Sequence, residues 1–246
     1  MIQVHELRKH FGPVAAVDGV SFEAQDGAVT GLLGPNGAGK TTTLRMLYGL
    51  IAPDAGRVSV DDVDVAQRPL AARRHLGVLP DTRGLYPRLT AREHILYFGR
   101  LQGLSPQVLE QRLSALAELL DLREIIDRRA AGFSQGERMK VALARALVHE
   151  PRNVLLDEPT NGLDVMSTRA TREWIRRLRQ QGRCVVFSSH IMQEVAALCD
   201  TIVIIAGGRV VARGTPDELR EQSGRADLED AFVALTGIDE APDESA

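Results

Sequence analysis

At 246 residues, with 44% hydrophobic and 26% charged side chains, the chain has the composition of a soluble globular protein long enough for one large domain or two small ones. Its formal net charge of -3 gives no basic field to gather nucleic acid or an anionic membrane surface, so nucleic acid is not an expected partner. Its longest apolar runs, such as residues 202–206, fall far short of the roughly 20 residues that span a bilayer, and its first residues alternate as a strand instead of laying out a secretion signal, so a cytoplasmic chain is expected.

Residues 2–8 and 17–23 alternate as two strands of a small antiparallel sheet, joined by a loop that holds Phe11, Gly12 and Pro13. A short apolar strand starting at Val29 then runs into Gly34-Pro35-Asn36-Gly37-Ala38-Gly39-Lys40-Thr41-Thr42, the Gly-x-x-x-x-Gly-Lys-Thr spacing of a phosphate loop. Polyphosphate is bulky and highly charged, so the backbone must wrap it with inward N–H groups, and Gly34, Gly37 and Gly39 leave room where the wrap is tightest. Lys40 supplies a point charge for the β- and γ-phosphates and the Thr41 hydroxyl a ligand for Mg²⁺, while the helix that starts there aims its positive end at the anion.

Further on, the turn at residues 53–56 leads into a strand at 57–60, and Leu76 to Leu79 reads as a short buried strand ending at Pro80. Residues 81–89 read as a loop. Thr90-x-x-Glu93 is a capping box opening a helix to about Gln102, and Ser105-Pro106 opens another whose leucines form one apolar face. Helices continue, with a break near Gly132, until Pro151. Strand and helix then alternate: strand 153–157, helix 165–180, strand 184–188, helix 191–198, and a hairpin at 201–205 and 210–213 split by Gly207-Gly208. The expected fold class is α/β, a phosphate-loop NTPase core with an antiparallel β subdomain and a helical insertion over residues 81–150. Cys184 and Cys199 lack metal-ligand spacing and are expected as free buried thiols. From Asp227 onward the chain carries seven acidic residues and no Lys or Arg, which reads as an acidic tail with frayed last positions.

The chemistry gathers at Val154-Leu155-Leu156-Asp157-Glu158, an apolar strand ending in two carboxylates. Asp157 sits where a carboxylate holds Mg²⁺ through its water shell, and Glu158 where it would point at the water attacking a γ-phosphate. His190, after another strand, offers one ring nitrogen to the γ-phosphate while the protein holds the other.

With Phe133-Ser134-Gln135-Gly136-Glu137 at the start of a helix shortly before that strand, the chain resembles the ATP-binding cassette (ABC) proteins, whose signature is Leu-Ser-Gly-Gly-Gln. The resemblance spans nearly the whole chain and includes the phosphate loop, Asp157-Glu158, Gly162-Leu163-Asp164 as the D-loop and His190 as the switch histidine. It implies that residues 1–226 form one ABC nucleotide-binding domain, with its core at 1–80 and 151–226 and its helical subdomain at 81–150, followed by an acidic tail at 227–246. It also implies an ATPase that binds ATP and Mg²⁺, with Phe11 stacking on adenine. Two copies would pair head to tail around two ATP, so that Ser134 and Gly136 of one subunit close over the γ-phosphate held by the other. The work would be done on a separate transmembrane permease subunit, holding this chain on the cytoplasmic face of the membrane. Residues 79–90 and 133–145 look most like the sodium-extrusion type of exporter. The alternatives weighed are a soluble ABC ATPase acting on nucleic acid or ribosomes, whose usual second cassette or long coiled coil is missing, and a phosphate-loop kinase or GTPase, whose Asn-Lys-x-Asp motif is missing. Two motifs depart from the family pattern. Gln135 and Glu137 replace Gly and Gln in the signature, and Asp81 stands where the family has a glutamine touching Mg²⁺ and the attacking water. Six arginines at 71–100, among them Arg73, Arg83, Arg88 and Arg92, form either a solvated face or a dock for a short helix of the membrane subunit.

Overall fold

The computed structural model describes residues 1–82 and 84–237. β1 (Ile2–Phe11) and β2 (Val14–Ala24) pair antiparallel around the turn at Gly12 and Pro13. The first strand outruns its alternation and takes in Phe11, expected in a loop, because His10 and Phe11 pair with Ala15 and Val14 across the turn. β3 (Val29–Leu33) enters a second sheet, and α1 (Lys40–Leu47) follows the glycine-rich loop. β4 (Ala55–Val60) and β5 (Val63–Asp64) return to the first sheet and complete its order β2-β1-β4-β5, two strands wider than the expected hairpin alone.

After α2 (Pro69–Arg74) and β6 (Leu76–Leu79), the chain leaves the sheet for three helices: α3 (Ala91–Leu101), α4 (Pro106–Leu119) and α5 (Gln135–Leu147). Each starts where its side-chain cap dictates. Thr90 and Glu93 form a full capping box, Ser105 accepts the Val108 N–H ahead of Pro106, and Ser134 and Glu137 form a second box. β7 (Asn153–Asp157), α6 (Val165–Gln180), β8 (Cys184–Ser189), α7 (Met192–Leu198), β9 (Thr201–Ala206) and β10 (Arg209–Gly214) rebuild the second sheet in the order β10-β9-β3-β8-β7-β6. Its strands are parallel except for β10, which closes the edge as a hairpin with β9.

Both faces of this sheet are covered, which is why its strands read as unbroken apolar runs. Val29, Leu33, Val154, Leu156, Val185 and Phe187 turn toward a core shared with the helical insertion and α6 and α7. Leu32, Leu155, Val186, Val203 and Ile205 turn the other way, toward α1 and the antiparallel sheet. Cys184 and Cys199 are free and buried, and burial pushes the Cys184 thiol up to about 12 and the Cys199 thiol well above its ordinary value, so neither is a nucleophile at neutral pH.

The acidic segment is a correction. After α8 (Pro216–Ser223), residues expected as a tail form α9 (Leu228–Thr236), capped by Asp227 and buried through Leu228 and Ala231 against the larger core. Its acids, Glu229 and Asp230, fall in the first turn, where the helix dipole favours negative charge, while an apolar residue every three or four positions supplies the packing face. The remaining acids, from Asp239 on, lie outside the described residues.

Candidate active site

Parallel strands deliver their chemistry at their carboxyl ends, and here register decides which residues meet. Leu33 is level with Ser189, Asp157 with Ser188, and Leu79 with Leu156, so the phosphate loop, Glu158, His190 and Asp81 all leave the sheet along one edge. Residues 36–42 line a cleft of about 440 Å³ there, with Asp81, Glu158, Asn161 and His190 opposite them.

The loop is held by its neighbours as much as by its own turns. A Cβ on Gly34 would stand 2.1 Å from the Ile205 carbonyl oxygen, and one on Gly39, already at φ +103°, would stand 2.3 Å from that of Ala16. Both glycines are therefore required by protein packing before any ligand enters. Lys40 is 6% exposed, and its Nζ donates to the carbonyls of Gly34 and Pro35 at 2.7 and 3.1 Å. Burial lowers its pKa from the ordinary value, opposed by the carboxylates of Glu158, 3.6 Å away, and Asp157.

Asp157 is buried, and its Oδ1 accepts the hydroxyls of Thr41 at 3.1 Å and Ser188 at 2.7 Å. The same Ser188 oxygen accepts the Glu158 N–H at 2.9 Å. Glu158 sits at φ +47°, a left-handed conformation costing a non-glycine residue about 1 to 3 kcal/mol, sustained here by the pairing on either side of it. Its Oε2 lies 3.0 Å from His190 Nδ1, and since a carboxylate only accepts, the proton of that hydrogen bond is on Nδ1. One carboxylate thus faces two basic groups, Lys40 and His190.

Thr41 and Asp157 are a hydroxyl and a carboxylate converging beside the loop, hard oxygen donors of the kind that suit Mg²⁺. No cluster of three or more His, Cys, Asp or Glu capable of enclosing a metal occurs among the described residues. Mg²⁺ keeps waters and takes further ligands from phosphate, so the two oxygens of Thr41 and Asp157 suffice for the protein's share.

Phe11, the stretch 134–137 and Asp164, all expected at the site, stand apart from the cleft. Phe11 is 50% exposed at the tip of the first hairpin, beneath Lys9 Nζ at 5.8 Å from the ring centre, and Ala16 of the same hairpin lines the cleft instead. Ser134 caps α5, where its N–H and Oγ are engaged with Glu137, whose carboxylate Arg128 also contacts. Asp164 caps α6 through the N–H and Oγ of Ser167. A Cβ on Gly136 would meet that Ser167 Oγ at 2.5 Å, so the starts of α5 and α6 are packed together within one chain. Gln135, with Arg138, lines a second recess reached past Asp81, Glu158 and Asn161. Sequence reasoning missed Ser188, Asn161 and Ala16 as site residues. Only Ser188 left a trace, a hydroxyl closing an otherwise apolar buried strand.

Residues 17–161, from the first sheet to the turn after Glu158, match the family described as ABC transporter. The chain belongs to that family. The ABC transporter ATP-binding protein NatA of Bacillus subtilis is 44% identical over 222 residues, covering 90% of each chain. The Nod factor export ATP-binding protein I of Burkholderia lata is 40% identical over 227 residues, 92% of this chain and 75% of that one. The linearmycin resistance ATP-binding protein LnrL of Bacillus subtilis is 35% identical over 243 residues, 98% and 77%. A solved structure of an ATP-binding subunit of an ABC transporter superimposes with a TM-score of 0.88 at 33% identity, covering 96% of this chain and 99% of that one. A dimeric bacterial ABC transporter cassette shares the fold at a TM-score of 0.80 and 23% identity. The ABC chain described here is accordingly an ATP-binding subunit and an ATPase. No described helix is long and apolar enough to cross a membrane.

Proposed function

We propose that two copies of this ABC subunit pair head to tail around two ATP and drive a separate transmembrane permease, with export as the direction and sodium as the cargo. The observation that carries the ATP chemistry is the contact of Glu158 with both Lys40 and His190 at the mouth of the phosphate cleft. Residues 34–42 would hold the polyphosphate, with Lys40 exchanging Glu158 for the β- and γ-phosphates. Thr41 and Asp157 would hold Mg²⁺, with Asp81 as a further contact through water. Mg²⁺ supplies charge neutralisation across the phosphate oxygens. Glu158, released from Lys40, would orient and deprotonate the attacking water. His190 would meet the γ-phosphate through Nε2, with its Nδ1–H held by Glu158.

Ser134 and Gly136 would serve the partner's ATP, a reading supported by their place outside the chain's own cleft. Phe11 would stack on adenine, supported by its exposure on the hairpin whose Ala16 lines the cleft. Export is supported by the Nod factor relative, and attachment to the cytoplasmic face of a membrane would follow from the permease. One relative is named for Nod factor export and another for linearmycin resistance, consistent with cargo being chosen by the membrane subunit.

Glu158→Gln tests the scheme. It is expected to bind ATP as the parent does, to turn over about 10²- to 10⁴-fold more slowly, and to accumulate ATP-dependent dimers on a sizing column. Monomers alone at saturating Mg²⁺ and ATP would rule out the sandwich. For the cargo, the chain reconstituted with its permease in vesicles should build an outward sodium gradient that depends on ATP.

A further inference from the structure

Two carboxylates are buried among the described residues, Asp157 and Glu194, and the phosphate cleft accounts for the first alone. Glu194 is 3% exposed in the first turn of α7. Its Oε2 accepts the Thr160 hydroxyl and, at 3.2 Å, the Ser189 hydroxyl, while Oε1 lies 3.6 Å from an Arg172 guanidinium nitrogen. Thr160 lies two residues beyond Glu158, and Ser189 immediately precedes His190. Ser189 Oγ also accepts the Ile191 N–H at 3.0 Å, closing the turn around the histidine. A single carboxylate oxygen thus joins the two segments from which Glu158 and His190 reach each other.

A purely structural ion pair is a poor account of this site. The Arg172 contact is longer than a hydrogen bond, and Arg172 Nε is buried without a partner. A buried pair of this quality is commonly matched or bettered in stability by apolar residues of similar volume. What an apolar residue could not do is hold two hydroxyls from different loops on one acceptor.

We propose that Glu194 is a positioning residue that fixes the approach of His190 to Glu158, an inference that rests on reading those two as the catalytic pair. Misplacement of reacting groups by about 1 Å can cost ~10²-fold in rate, so even a partial loss of register should be measurable.

The test is steady-state ATPase kinetics of the full chain with Mg²⁺ and ATP for Glu194→Leu, Glu194→Gln, Ser189→Ala and His190→Ala, with ATP binding and melting temperature measured alongside. Glu194→Leu fills the space without an acceptor and is expected to lower kcat by about tenfold while KM and ATP affinity stay within about twofold. Glu194→Gln keeps an acceptor oxygen and should restore most of kcat. Combined with His190→Ala, Glu194→Leu should add no further loss, because the contact it positions is already gone. If Glu194→Leu does not fold, Ser189→Ala carries the test, with a several-fold loss of kcat at unchanged KM. Parental kcat in Glu194→Leu, a loss that multiplies with that of His190→Ala, or a parallel rise in KM would overturn the positioning role. If His190→Ala and Glu158→Gln themselves keep parental turnover, the reading of the catalytic pair fails and this inference fails with it. If both lose turnover while Glu194→Leu does not, only the inference fails.

Discussion

At the scale of single residues, the informative contrast is between Glu158 and Asp81, two acids on one cleft. Glu158 is pinned by backbone, serine and histidine, whereas Asp81 stands on a loop one residue beyond Pro80, at the junction of the cleft with the recess that holds Gln135. An ionised aspartate is one methylene shorter than glutamine and only accepts, so it cannot both ligate a metal and donate to a water. A water-bridged role at the metal predicts that Asp81→Ala raises the Mg²⁺ concentration for half-maximal ATPase activity, with Asp81→Asn in between because it loses charge but keeps an oxygen. Magnesium titrations at fixed ATP should separate the three proteins, and superimposed curves would remove Asp81 from the metal site. Of the nearby arginines, Arg73 donates to the carbonyls of Tyr48 and Gly49 and Arg92 pairs with Asp127, so both have structural work within the chain, while Arg83 lies outside the described residues.

At the scale of elements, two junctions are informative, one between the helical insertion and the core and one inside the insertion. The first is the contact of α5 with α6. Gly136→Ala would drive a methyl into Ser167 Oγ, which is already spent on the Asp164 cap, and should cost about 1 to 3 kcal/mol. Removing that oxygen with Ser167→Ala should recover part of the loss, so chemical denaturation of the two single variants and the double variant should show coupling. The second junction is His94 in α3, fully buried, with Nε2 accepting the Tyr86 N–H at 2.8 Å and Nδ1 donating to the Thr90 carbonyl at 2.9 Å. Burial, with Arg145 nearby, lowers its pKa against the opposing Thr90 bond, so the folded state holds it neutral. The unfolded chain therefore takes up the proton first as pH falls. Stability from this group is full above the unfolded value near 6.5 and is lost between that value and the lower folded one. Melting temperature should drop more steeply below pH 6.5 in the parent than in His94→Gln, which keeps an acceptor for Tyr86 without titrating.

At the scale of the whole molecule, α9 and the antiparallel sheet enclose the core from two sides. Because Leu228 is buried in the larger hydrophobic cluster, Leu228→Ala should cost about 2 to 5 kcal/mol in urea unfolding. A detached acidic tail would show no change. The same packing makes the cleft a product of long-range assembly: the phosphate loop, Glu158 and His190 follow strands that lie side by side in the sheet yet far apart in the chain.

Much of this was already present in the order of residues. The phosphate-loop spacing, the capping residues Thr90, Ser105 and Ser134, and the apolar runs ending at Asp157 and before His190 report local geometry, which depends on neighbours a few positions away. The helix expected at 165–180 and the strand at 153–157 stand where they were expected for that reason. What local order could not carry was the pairing of β3 with β8 and β9 and of β7 with β8 and β6, because strand neighbours are chosen by which faces bury one another across the core. That choice alone brings Ser188 to Asp157 and Glu194 to Thr160. It also leaves Phe11 exposed at a hairpin tip and turns an acidic stretch into a helix, since two buried side chains, Leu228 and Ala231, outweigh the charges beside them once a core exists to receive them.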